Sequence, residues 1–167
     1  MVNGRPFRLL RQPLGTRRNL AYNLGMSDFS DDPQAWRGVP APSLADIEAL
    51  AANAYARLPE RFRALCEDLI IRVDDFPTDE VLETMQAETE FDLLGLLQGV
   101  GLPFQPASEF TGQMPNMVWL YRRPILDYWA EHEEALGAIV THVLVHEIGH
   151  HFGLSDDDMA AIEAAAD

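Results

Sequence analysis

Lysine is absent from the 167 residues, and cysteine is limited to Cys66. A lone cysteine excludes an internal disulfide and cannot build a thiolate metal site by itself. The fold must therefore rest on its apolar core, and a reducing, cytoplasmic location fits this usage. No stretch is long and apolar enough to span a bilayer or to act as the apolar part of a secretion signal, so no membrane association is expected. Acids are absent before Met26, although the whole chain has 27 of them against 12 arginines and a net charge of −15. Arg5, Arg8, Arg11, Arg17 and Arg18 give that arm a charge of +5, while seven arginines against 27 acids leave −20 on the remainder. A body so acidic repels nucleic acid. The arm reads as a solvated extension, as a contact for RNA, for an acidic partner or for the domain's own acidic surface, or as residues upstream of a start at Met26.

What is present supports one compact domain, since 167 residues with 47% hydrophobic content can bury a substantial core. Residues 1–42 read as basic arm and linker, with Pro33, Gly38, Pro40 and Pro42 punctuating the last part, and residues 43–167 as the domain. Ser43 stands as N-cap before Leu44, Ile47, Leu50, Ala51 and Ala54 at helical spacing. Pro59 breaks that helix, and Glu60 to Glu67 forms the next. Leu69 to Val73 is the first expected strand. Thr78 caps a helix through Val81, Leu82 and Met85. Leu93 to Leu97 fits either period, and Gly95, Gly99 and Gly101 favour strand and turn. Met117 to Tyr121 is expected as a strand ended by Arg122, Arg123 and Pro124, followed by helices at Ile125 to Trp129 and from about Glu131 to Phe152. The order predicts an α+β fold, a small mixed sheet packed against helices. Met117 to Tyr121 is either the candidate edge strand for pairing with an extended peptide or an ordinary sheet strand whose aromatics fill the core. Arg122 and Arg123 would steer a substrate carboxylate or blunt the edge.

The densest chemistry lies near the C-terminus, where His146, Glu147, His150, Gly153 and Asp156 spell HExxHxxGxxD. Residues four apart share a helix face, so His146 and His150 offer two imidazoles to one metal ion. Glu147 lies about 100° around the helix, placed to reach a metal-bound water without taking a ligand position. Gly153 is suited to end the helix in a left-handed conformation and turn the chain back, which would deliver Asp156 as third ligand. Glu163 competes for that place, and Ser155 to Asp158 also read as a helix cap with an acidic first turn. Three protein ligands and one open position define a catalytic zinc site. His142 extends the row toward a supporting or solvent position. His151 reads as packed or exposed, and His132 as a surface residue in the acidic run Glu131 to Glu134.

HEIGHHFGLSDDDM (His146 to Met159), LYRRPIL (Leu120 to Leu126), LLGLLQGVGLP (Leu93 to Pro103) and IRVDDFP (Ile71 to Pro77) together resemble the small bacterial metallopeptidase-like proteins of the minimal zincin type, once described only as a domain of unknown function. The resemblance covers about the C-terminal two thirds. It implies a zincin-like fold with the HExxH helix near the C-terminus, zinc at His146, His150 and Asp156, and Glu147 as the base. The string also resembles that of certain small secreted bacterial neutral proteases. Metzincins carry histidine where Asp156 stands, and the few residues after Met159 leave no room for their methionine turn.

These readings converge on zinc-dependent hydrolysis of an amide bond in a peptide or protein, with Glu147 as general base. Tyr121, Tyr128 and His142 are open candidates for oxyanion stabilisation. A protein-interaction module on the same scaffold, with little or no catalysis, is the alternative. Hydrolysis of a non-peptide substrate is a third reading.

Overall fold

The computed structural model of the chain describes residues 38–66, 68–99, 116–155 and 158. The arm and most of the linker lie outside them, as do Asp156 and Glu163. Ser43 opens helix α1 (Leu44–Arg57) with a reciprocal cap: the Asp46 amide donates to the Ser43 hydroxyl at 3.2 Å, and the Ser43 amide donates to the Asp46 carboxylate at 2.8 Å. Ile47, Ala51 and Ala54 form its buried stripe. The second expected helix is shorter and tighter, with α2 (Glu60–Arg63) passing into a 3-10 turn at Ala64–Cys66.

Strand β1 (Ile70–Asp74) leads to α3 (Asp79–Met85), capped by the Thr78 hydroxyl and stopped by left-handed Gln86. Strand β2 (Gly95–Gln98) resolves the ambiguous Leu93 to Leu97 run as strand. Strand β3 (Met117–Tyr121) follows and leads directly into α4 (Arg122–Glu131). That helix starts earlier than expected. Pro124 falls in its first turn, where no helical hydrogen bond is lost, so the proline is tolerated instead of ending anything. Helix α5 (Leu136–His151) also begins later than expected, because residues 132–135 break the chain between the two helices.

The sheet has the order β1-β3-β2, with β1 parallel and β2 antiparallel to β3. Met117 to Tyr121 is therefore the central strand, and its expected role as an edge is corrected: both sides of its backbone are already paired. Period-two alternation shows which face a residue occupies but not which strand lies beside it. One face of the sheet, through Leu97, Val118 and Leu120, packs on Ile47, Ala51 and Ala54 of α1 and on Ile139, Val140, Val143 and Leu144 of α5. The other face, through Leu96 and Tyr121, packs with Leu93 and Met85 and against Val81 and Leu82 of α3. The result is α+β, a small mixed sheet between helices. No described helix is long and apolar enough to cross a membrane.

Arg122 has a structural task that neither of its expected roles anticipated. Its Nε donates to Asp75 Oδ1 at 2.6 Å, and its Nη1 donates to the Pro42 carbonyl at 3.0 Å. These contacts tie the start of α4 to the turn after β1 and to the segment entering α1. With β3 central, Arg122 has no sheet edge to blunt, and its guanidinium is committed to Asp75 and Pro42.

Candidate metal centre

Helix α5 is apolar around most of its circumference, as expected for a helix buried between other elements. Within it, His146 and Glu147 are buried, and the Glu147 residue is 0% exposed. Carboxylates are almost never placed in a core without a specific reason. His146 and His150 stand on successive turns with ring centroids 4.7 Å apart and planes at 82°. His142, one turn earlier, has its ring centroid 6.4 Å from that of His146.

The end of α5 shapes the second histidine. Gly153 has φ +81°, the left-handed conformation expected of it. Its amide donates to the His150 carbonyl at 2.9 Å and the Leu154 amide to the Gly149 carbonyl at 3.0 Å. This is the paired closure of a Schellman end. The reversal brings the Leu154 carbonyl to 2.9 Å from His150 Nδ1. A carbonyl can only accept, so Nδ1 is the protonated nitrogen of this contact, and in the neutral ring that tautomer leaves the lone pair on Nε2. Such support from a backbone carbonyl orients a metal-binding imidazole and fixes its tautomer.

Gly95 is the residue that sequence reasoning undervalued. A Cβ there would lie 2.7 Å from Val143 Cγ1, 3.1 Å from the Trp119 carbonyl oxygen and 3.2 Å from Glu147 Cγ. Strand β2 thus crosses α5 directly over Glu147, at a distance only glycine allows. The available signal was a glycine inside a strand pattern, which marks close backbone approach.

Tyr121 is buried, and its phenol is pushed well above its ordinary range, first by that burial and then by the negative charges of Glu147 and Asp74. Tyr128 is raised by burial and by Glu134, and its ring stacks on His132 at 3.8 Å. His132 is accordingly half-buried against α4, not a plain surface residue. His151 is buried and packs beside Phe152; burial lowers its pKa, opposed by a hydrogen bond to the Leu65 backbone.

The donor chemistry of His146 and His150 suits zinc, and the tether on His150 Nδ1 leaves its Nε2 as the donor atom. Among the described residues, no group of three or more His, Cys, Asp or Glu comes together to hold a metal ion. Asp156 and Glu163, the alternatives for third ligand, lie outside those residues. The capping reading of the same stretch does fall within them: Ser155 is the cap, its amide donating to Asp158 at 2.8 Å and its hydroxyl accepting from the Asp158 amide at 3.2 Å.

An α+β scaffold with an HExxH helix packed beneath a small mixed sheet is the zincin type of organisation. Residues 66–166 match the zincin-like metallopeptidase family, and the chain belongs to that family. No curated protein matches the chain.

Proposed function

We propose that the protein is a zinc-dependent metallopeptidase-like hydrolase that cleaves amide bonds in a peptide or protein. The observation that carries this reading is the placement of the fully buried Glu147 on the same buried stretch of α5 as His146, with His150 held by the Leu154 carbonyl. In this reading His146 and His150 hold zinc together with Asp156, or with Glu163 in its place. When bound, zinc supplies the Lewis acidity that polarises the scissile carbonyl and makes water acidic enough to be deprotonated near neutral pH. Glu147 accepts the proton of the attacking water and passes it to the leaving nitrogen. Burial suits that task, because a carboxylate shielded from bulk water exchanges protons with its immediate neighbours. Tyr121, Tyr128 and His142 remain the candidates for stabilising the developing oxyanion.

With β3 central, β1 and β2 each have only β3 as a neighbour among the described residues, and the peptide-pairing role passes to β2 because that strand lies against Glu147. An extended substrate along β2 would run beside the strand that crosses Glu147.

The test is zinc per chain, by elemental analysis of protein purified without a metal-binding tag, joined to a peptide-library assay. Wild type is expected to hold about one equivalent. Glu147→Gln should keep the metal and lose turnover by a factor of at least about 100, whereas His150→Ala should lose both. An active, zinc-loaded Glu147→Gln protein would refute the role given to that glutamate. The alternative is an interaction module that keeps the zincin scaffold and uses the acidic surface or the basic arm to bind a partner. A chain that takes up no zinc when it is supplied would refute the zinc hydrolase and turn the reading to that alternative. A cytoplasmic setting is part of the proposal and rests on Cys66 being a buried, free thiol.

A further inference from the structure

On the face of the sheet opposite α5 lies a cavity of about 250 Å³, walled by Phe76, Trp119 and Tyr121, floored by Met85 and Leu96, and bordered by Asp74 and Glu80. It is smaller than the roughly 300–1,000 Å³ typical of cofactor and drug-sized sites. Its size suits one side chain rather than a nucleotide or a large cofactor. Asp74 and Glu80 are the charged residues lining it, and both are exposed, with no cation in the lining. Arg72 shares the face but stands exposed outside the cavity, and Arg122 is committed to Asp75 at 2.6 Å. The Trp119 indole N–H donates to Gln98 Oε1 at 2.8 Å, which fixes the ring against its neighbour. Aromatic walls, an apolar floor and an acidic rim match an alkyl stem that ends in a cation.

We propose that this cavity receives an arginine or lysine side chain of the peptide on which the enzyme acts, a proposal that rests on the hydrolase reading above. Strand geometry connects the two places. Gly95 and Leu97 face α5, whereas Leu96 and Gln98 face the cavity, because successive residues of a strand point to opposite sides. A substrate strand paired with β2 alternates in the same way. It presents one set of side chains toward the α5 face and the next toward the cavity.

The experiment is a heteronuclear NMR titration of the full-length chain with N-acetyl-arginine amide and its neutral isostere N-acetyl-citrulline amide. Shifts are expected at Asp74 to Thr84 and at the Trp119 indole. The arginine compound should bind about tenfold more tightly than citrulline, and that preference should vanish in Asp74→Asn/Glu80→Gln. Equal binding of the two compounds, or shifts centred on the acidic run Glu131 to Glu134, would overturn the proposal. So would a joint movement of Arg5 to Arg18, which would make the chain's own arm the occupant. Matched peptides containing arginine or citrulline then separate the two claims. Cleavage indifferent to that exchange removes the cavity from substrate selection and spares the hydrolase. Selective arginine binding without cleavage of any peptide removes the hydrolase and leaves a basic-side-chain site.

Discussion

At Gly95 one hydrogen atom in place of a methyl group decides how closely β2 can lie over Glu147. Gly95→Ala should destabilise the fold by about 1–3 kcal/mol, as other overpacked core sites do. Denaturant melts of Gly95→Ala and of Gly95→Ala/Val143→Ala check this. Removing Val143 Cγ1 relieves the 2.7 Å clash but not the 3.1 Å approach to the Trp119 carbonyl, so the rescue should be partial. The residues of the HExxH helix could be named from their spacing alone, since four-residue separation on a helix is a geometric fact. The tether that holds His150 was not legible. Its partner is a backbone carbonyl, and no side-chain pattern reports where a carbonyl points.

Elements end where local chemistry stops them, and those stops were the most readable features of the chain. Ser43, Thr78 and Gly153 act through their own side chain or their own backbone freedom, so sequence alone locates them. Pro124 misled because a proline in the first turn and a proline after a strand look alike in sequence. Gly153→Ala should cost about 1 kcal/mol or more, since alanine tolerates a positive φ poorly. The same change should weaken zinc binding by shifting the Leu154 carbonyl from His150, a loss that competition with a chromogenic chelator would measure. The caps of α1 and of the segment after Ser155 share an acid dependence. Hydrogen bonds from Ser43 hold the Asp46 carboxyl below its usual range, and those from Ser155 do the same for Asp158. A lowered folded pKa means that the stabilisation is complete above the ordinary aspartate range and is lost as pH falls through the folded value. The stability difference between wild type and Asp46→Ala should therefore be constant near neutrality and shrink in acid, as urea melts at several pH values would show.

Across the whole molecule, strand order was the largest feature hidden from the sequence. The five residues of β3 alternate as an edge strand would, and only their neighbours reveal a centre. Arg122 belongs to this scale too, because it joins three distant segments. Arg122→Gln should cost about 1–2 kcal/mol, visible as a lower melting midpoint, through loss of the Asp75 and Pro42 contacts. Zinc at 100 times its dissociation constant should add about 2.7 kcal/mol to wild type and nothing to His150→Ala, as calorimetry with and without a chelator would test. The order of the elements also sets a timetable. Strand β1 waits for β3, made some way later in the chain, and α1 waits for α5, the last described helix. During synthesis from the N-terminus, the early strand stays without its main partner until β3 is made, and the early helix until the histidine-bearing helix arrives. Closing the core and delivering the candidate metal ligands are then one event, so a chain interrupted before α5 has neither a finished interior nor a partial site with which to capture metal.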